Sequence, residues 1–434
     1  MININHIYTS LLIGRLMLAG AHLHAQDTSL ISRSYTHEAS KTVKDNKVQK
    51  SFEIIDELEP QTTKDLITLT EIPAPPFGEK DRGLAFKAML EQAGADKVWV
   101  DEVGNVLALR EGTKGDRTIV LDAHIDTVFP IDTDLTVKIK GDTLIAPGIG
   151  DDTRGLVMVL TVLRAMNAAE IKTQADLLFV GTVGEEGLGD LRGVKHLLRE
   201  GAELSIDSWI SIDGGSLGRV NNGALGSTRY RAIFRGPGGH SWGAFGLANP
   251  HHALGKAIDY FTTSASQNIY EGPKTSYNIG RIGGGTSVNS IPFESWFEVD
   301  MRSLDPGRLL AIDSLFKTSV NQAVKYYNDS GVNGEIKLEL QKIGDRPSGV
   351  QSKDVPLIQR ALAATATLGT SPRLTTGSTN ANIPIAKGIP AVTIGRGGRS
   401  GNAHSLDEWW ANIDGASAIK LALLIAVLEA GLGK

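Results

Sequence analysis

Four short apolar runs, "NVLALR", "TIVLDAHID", "ADLLFVGTV" and "SWISIDGG", fall between residues 105 and 215, with the helical stretches "TRGLVMVLTVLRAMNAAE" and "LRGVKHLLRE" interleaved. Runs this short and this apolar read as strands buried on both faces, and their alternation with helices predicts an α/β sheet covered by helices. In such a sheet, chemistry gathers beyond the carboxyl ends of the strands. His124 and Asp126, Glu185 and Glu186, and Asp213 all stand at that end of an apolar run.

After "GGSLGRVNNGALG" the pattern changes. The strand "STRYRAIFRG" is followed by the helix "PHHALGKAIDYFTTSA", the strands "TSYNIGRIGGG" and "SWFEVDMRS", the helix "PGRLLAIDSLFKTSVNQAVKYYND" and the strand "EIKLELQKIG". That order, β-α-β-β-α-β, predicts a ferredoxin-like unit over residues 223–341. The α/β pattern resumes in residues 342–434 with a helix, the strand "PAVTIG" and a last helix. The sheet-forming body is therefore expected in two pieces, 51–222 and 342–434, around an insertion.

The first 26 residues resemble a secretory signal, with an apolar middle and Ala25 at the cleavage position, although Arg15 interrupts the apolar run. Such a segment implies export to the periplasm or the medium; without it the chain stays in the cytoplasm. Residues 27–50 are polar and without apolar periodicity, which predicts a flexible leader. No other run approaches the roughly 20 apolar residues of a membrane helix. A net charge of -5 gives no basic excess that would recommend a nucleic-acid partner. Cysteine is absent, so any metal must be held by His, Asp and Glu.

His124 and Asp126 lie two apart on one strand and so share a face. That spacing suits a metal ligand whose ring is oriented by an acid, and equally a plain buried hydrogen bond. Asp151 and Asp152, in "APGIGDDTRG", stand where a glycine-rich loop enters a helix, a place for metal ligands or for an ordinary N-cap. Glu185 and Glu186 are adjacent in "GTVGEEGLGD", and on a regular strand they would point to opposite faces. His404 follows in "GNAHSLDEWW". Two histidines and several carboxylates aimed at one cleft, without sulfur, suit zinc, cobalt or manganese. Two such ions sharing a carboxylate would activate a water and polarise a carbonyl, and one uncoordinated acid would be needed to take the proton.

The ordered set "AHIDTV", "APGIGDD", "GTVGEEGLGD", "SIDGG", "GPGGHS", "GGTSVNSIP", "VDMRS" and "NAHSLDE" resembles the signature of the dinuclear-zinc exopeptidase family. That family contains peptidase T, the glutamate carboxypeptidases, acetylornithine deacetylase and succinyl-diaminopimelate desuccinylase. The likeness runs from about residue 55 to the C-terminus. It implies a mixed zinc-exopeptidase-like sheet flanked by helices, with the inserted unit serving as lid and homodimer interface. It also implies that Asp151 bridges two divalent ions, most often zinc, with His124 and Asp213 completing one site and Glu186 and His404 the other. Glu185 becomes the general base and Asp126 orients the His124 ring. His240 would reach the partner's active site, Asn289 and Arg302 would hold polar groups of the substrate, and Gly377 would contact it through its backbone. Asp152 is left outside the metal shell, and Arg396 and Arg399 match no contact of the family.

The activity so implied is hydrolysis of an amide bond in a small peptide or N-acyl amino acid. Asp213, where the family's deacylases often carry Glu, resembles the peptidase branch and favours a di- or tripeptide aminopeptidase. A carboxypeptidase or N-acyl-amino-acid deacylase is the alternative within the family. A non-catalytic metal- or peptide-binding protein is the alternative outside it.

Overall fold

The computed structural model describes residues 30–269 and 272–433. The signal-like segment 1–26 lies outside the described residues. Strands Thr118–His124, Asp176–Thr182 and Ser208–Ile212 are buried almost throughout. That is why they appear in the sequence as continuous apolar runs and not as alternating ones. They form the middle of a nine-stranded sheet in the order Lys97–Val100, Val106–Arg110, Asp176–Thr182, Thr118–His124, Ser208–Ile212, Ala391–Ile394, Arg219–Ala224, Gly349–Val350, with Arg373–Gly377 also paired to Arg219–Ala224. The four central strands, Asp176–Thr182, Thr118–His124, Ser208–Ile212 and Ala391–Ile394, run parallel, so their carboxyl ends open on one edge. The outer pairings are antiparallel except that Arg373–Gly377 runs parallel to Arg219–Ala224, making the sheet mixed as expected. Helices Thr153–Ala168 and Gly415–Ala430 are buried on nearly every side and pack against each other. Among the described residues no helix is long and apolar enough to cross a membrane.

The segment expected to be a flexible leader is instead helical from Arg33. Helices Arg33–Thr42 and Asn46–Glu57 bury Ala39, Val48, Phe52 and Ile55. The Asp45 side chain caps the second helix by accepting from Lys47 N–H at 2.9 Å and Val48 N–H at 3.3 Å. Arg360 bonds Glu38 at 3.2 Å and faces the Tyr35 ring. The burial is sparse along the sequence, and its stabilising contacts are tertiary, so local polarity misreports it.

The inserted unit is a four-stranded antiparallel sheet ordered Thr275–Gly284, Glu294–Ser303, Gly226–Arg235, Lys337–Arg346, with helices Pro250–Asn268 and Pro306–Asn328 packed on it. Strand Glu294–Ser303 alternates half-buried and buried, the mark of a sheet covered on one face. Beneath the helices, Phe316 meets the rings of Phe261 and Phe297 edge-on at centroid distances of 5.2 and 6.2 Å. The sheet starts at Gly226 and not at 223, because Arg219–Ala224 still pairs in the central sheet. It ends at Arg346 and not at 341, because an irregularity between Lys342 and Gly344 carries the last strand on.

Candidate metal centre and active site

His124 closes its strand opposite Thr182 of the parallel neighbour, and the two glutamates follow Thr182 in a tight loop. Gly184 and Gly187 flank the pair with φ of +67° and +51°, values that glycine adopts without the Cβ penalty. The Asp126 carboxylate accepts from the N–H of Glu185 at 2.9 Å and of Glu186 at 2.7 Å. With their backbone pinned from below, the two side chains take different partners. Glu186 Oε1 lies 2.9 Å from His404 Nε2, whereas Glu185 Oε1 accepts from Arg346 at 2.8 Å.

Asp126 therefore differs from its expected role. The His124 ring is held by the Asp126 backbone carbonyl, 2.8 Å from Nδ1, while the carboxylate stands 3.8 Å away and serves the glutamate loop. Asp126→Asn presents an amide that can accept from one of those N–H groups but not both. We expect it to lower kcat/KM by about 10- to 100-fold, the usual cost of removing a group that orients ligands. The check is steady-state turnover beside metal content.

Asp151 stands at the middle of the site. Its Oδ1 is 3.3 Å from His124 Nε2, and its Oδ2 is 3.3 Å from His404 Nε2. The loop that carries it is fastened by Glu408, four residues past His404, which accepts from the N–H groups of Gly148 at 2.9 Å, Gly150 at 3.0 Å and Asp151 at 2.8 Å. Ligand atoms of His124, Asp151 and Glu186 lie within 4.8 Å of one another, as do those of Asp151, Asp152 and Asp213. Asp152 makes no side-chain cap on the helix it precedes. It is fully buried and accepts from His124 N–H at 3.3 Å.

Two arginines join this cluster. Arg396 NH1 bonds Asp151 Oδ1 at 3.0 Å and Asp152 Oδ1 at 3.2 Å, and also Gly150 O. Arg346 bonds Glu185 through both its carboxylate and its carbonyl, and Ser378 Oγ at 3.1 Å. Arg396 had a signal in the sequence: it stands two residues past the carboxyl end of the strand Ala391–Ile394, on the edge where His124 and Asp213 stand. Arg346 and Glu408 had none, since their partners lie far away in the chain. Arg399 sits on the exposed strand Arg399–Gly401, paired through its backbone with Ala411.

Burial would raise the Asp151 carboxyl, but Arg396, His124 and His404 outweigh it and hold the group well below the usual range. Burial opposes protonation of His124, yet Asp151, Asp152, Asp126 and Glu185 together push its ring well above its ordinary value. Hydrogen bonds donated by the His404 ring to Asp151 and Glu186 raise it to about 10. Burial drives Glu185 up to about 8 against the pull of Arg346. A cluster that draws protons onto its imidazoles is short of positive charge. Together with nitrogen and oxygen donors and no sulfur, that shortage fits divalent cations.

The remaining expected residues lie elsewhere. His240 and Asn289 meet on a short ribbon in which Gly239–His240 pairs with Ser290–Ile291, and Ser241 N–H bonds Asn289 O at 3.0 Å. Arg302 bonds Asp300 at 2.6 Å on its own strand, and Arg229 takes the other oxygen of that carboxylate at 3.1 Å. Gly377 closes the strand Arg373–Gly377, its carbonyl accepting from Leu225 N–H at 2.7 Å. A Cβ there would meet Arg219 NH2 at 2.6 Å. Among the described residues no hydrogen bond or ion pair joins His240, Asn289 or Arg302 to the carboxylate cluster.

Residues 120–428 match the family described as Peptidase family M20/M25/M40. The chain is 28% identical to the uncharacterized protein YqjE of Bacillus subtilis over 68% of its own length and 76% of that relative. Among solved structures, aminopeptidase PepT of Bacillus cereus superposes with a TM-score of 0.66 at 22% identity, covering 85% of this chain and 98% of that one. The dipeptidase Dug1p of Saccharomyces cerevisiae superposes with a TM-score of 0.69 at 18% identity, covering 88% and 98%.

Proposed function

Because the chain belongs to peptidase family M20/M25/M40, we propose that it is a metal-dependent hydrolase of amide bonds in small peptides, working as a di- or tripeptide aminopeptidase. The observation that carries the reading is the division of labour between neighbours: Glu186 pairs with His404, whose ring also faces Asp151, and Glu185 is bound instead to Arg346. Asp151 would be shared by two divalent ions, zinc in first place and cobalt or manganese as substitutes. His124 and Asp213 would complete one site, and Glu186 and His404 the other. When bound, the ions supply Lewis acidity that polarises the scissile carbonyl and eases deprotonation of water.

Glu185 takes the proton of the attacking water on its carboxylate and passes it to the leaving amine. Burial, which raises its proton affinity, suits both halves of that task. Arg346 keeps the carboxylate from swinging onto the ligands, and Asp126 keeps the loop beneath it still.

The inserted unit is read as lid and homodimer interface. His240 Nδ1 accepts from the N–H groups of Trp242 at 3.2 Å and Gly243 at 3.3 Å, which leaves Nε2–H as an outward donor. Trp242, Phe245, Val288 and Phe293 are exposed beside it, an apolar patch suited to a second copy of the chain. In that arrangement His240 donates to the developing oxyanion in the partner's site. Arg302 and Asn289 bind polar groups of the substrate, and the backbone at Gly377 flanks it. An aminopeptidase and a dipeptidase among the similar folds support a short-peptide substrate.

The test is a matched set of free, N-blocked and C-blocked di- and tripeptides offered to zinc- or cobalt-loaded protein. An aminopeptidase cleaves the free and C-blocked members. Cleavage of N-blocked members instead assigns the carboxypeptidase or deacylase alternative. Two bound ions with no cleavage of any member assigns a binding protein.

A further inference from the structure

We propose that Arg396 is a resident cation that competes with one of the two metal ions for Asp151, so that the chain loads its ions unequally. The inference rests on the two-metal reading above and extends it. The two oxygens of Asp151 have different surroundings. Oδ2 faces His404 Nε2 at 3.3 Å, and that ring is half exposed and shared with Glu186. Oδ1 faces His124 Nε2 at 3.3 Å and also accepts from Arg396 NH1 at 3.0 Å.

The guanidinium is only 5% exposed and is anchored further by Asp152 at 3.2 Å. It stays charged at any working pH and is always a donor, never a ligand. An ion bound by His124, Asp151 and Asp213 therefore has to share an oxygen with a fixed positive charge that already occupies one of its lone pairs. An ion bound by Glu186, His404 and the far oxygen of Asp151 does not.

Arg396 NH1 makes all three of the bonds, to Asp151, Asp152 and Gly150 O, whereas Nε is buried without a hydrogen-bond partner. Filling the second site therefore means weakening a contact that two other bonds of the same nitrogen hold in place, which makes that site the harder one to fill. In the absence of metal the same guanidinium neutralises Asp151 and Asp152 and keeps the carboxylates from driving the loops apart. Arg396 is thus a positioning residue with two effects of opposite sign: it supports the metal-free site and weakens the ion on the His124 side.

The experiment uses full-length, metal-stripped protein titrated with Zn²⁺, followed by calorimetry and by metal analysis after dialysis. Parallel titration with Co²⁺ follows the absorption spectrum at one and two equivalents. Wild type is expected to bind in two resolved steps, the first of which His404→Ala removes. Arg396→Met, which removes a positive charge beside the ion, should tighten the second step by about tenfold or more and lower the melting temperature of the metal-free form, with recovery once both ions are bound. Arg396→Gln, which keeps a polar head group, gives the same reading if the Met variant does not fold.

Two ions of equal affinity in wild type, or an unchanged second step in the variants, overturns this inference and leaves the two-metal reading standing. A wild-type chain that takes up no ion overturns both.

Discussion

Glu185→Gln should lose about 10²- to 10⁴-fold in turnover, the range contributed by a positioned general base, while still taking up two ions. The substitution is isosteric, and its amide oxygen can still accept from Arg346, so the buried loop keeps its fold. What it loses is the ability to carry a proton between water and leaving amine. Among the described residues its carboxylate pairs with Arg346 and not with Asp151, His124 or His404, so metal content should not change. Full turnover at full metal content would show that the base has been wrongly assigned. Loss of both turnover and metal would mean that Glu185 is itself a ligand.

Asp151→Ala is expected to strike turnover and metal uptake together. Asp151 is contacted from both sides, by His124 and by His404, and it also receives Arg396. Without its carboxylate each site loses a ligand at once, and Glu186, which lies near both histidines, is already paired with His404. Metal polarisation supplies several kcal/mol of transition-state stabilisation. Since about 1.4 kcal/mol is tenfold in rate, turnover should fall by roughly 10³-fold or more. The two-step uptake should collapse to one weak step or none, read by metal analysis on the dialysed protein. The fold should survive, because Arg396 retains Asp152 and the loop retains its Glu408 bonds to Gly148 and Gly150. Two ions bound at wild-type strength would refute the shared-carboxylate arrangement.

Much of this architecture was legible in the sequence because it rests on local signals. Strands buried on both faces declare themselves as apolar runs, and the β-α-β-β-α-β order is readable from periodicity alone. His124, Glu185, Glu186 and Asp213 stand out because strand ends gather on one edge of a parallel sheet, and Asp151 because it sits where a glycine-rich loop enters a helix.

What stayed hidden depended on which loop faces which. Glu408 fastens the Asp151 loop across 257 residues of chain, and Arg346 reaches Glu185 across 161. The job of Asp126 was misjudged for the same reason. Its spacing from His124 is local and visible, whereas the N–H groups its carboxylate serves lie 59 and 60 residues ahead. The helical turns at 33–50 are not legible in the sequence, because about one buried side chain per turn or fewer suffices once another surface is there to cover it.

The insertion leaves the central sheet after Ala224 and re-enters it at Gly349, and those two residues face each other as an antiparallel pair. Paired residues of that kind stand about 5 Å apart, the spacing of the two ends of a hairpin. The seam is therefore a natural graft point: any folded module whose own termini are that close can be exchanged there without moving the register of a single central strand. What such a replacement would have to rebuild is small and specific. The base loop is tied to the present insertion by Arg229 on Gly187 O, Asp345 N–H on Asp190 and Arg346 on Glu185. A chain architect could thus alter what covers the cleft separately from the machinery beneath it, provided those three fastenings travel with the new module.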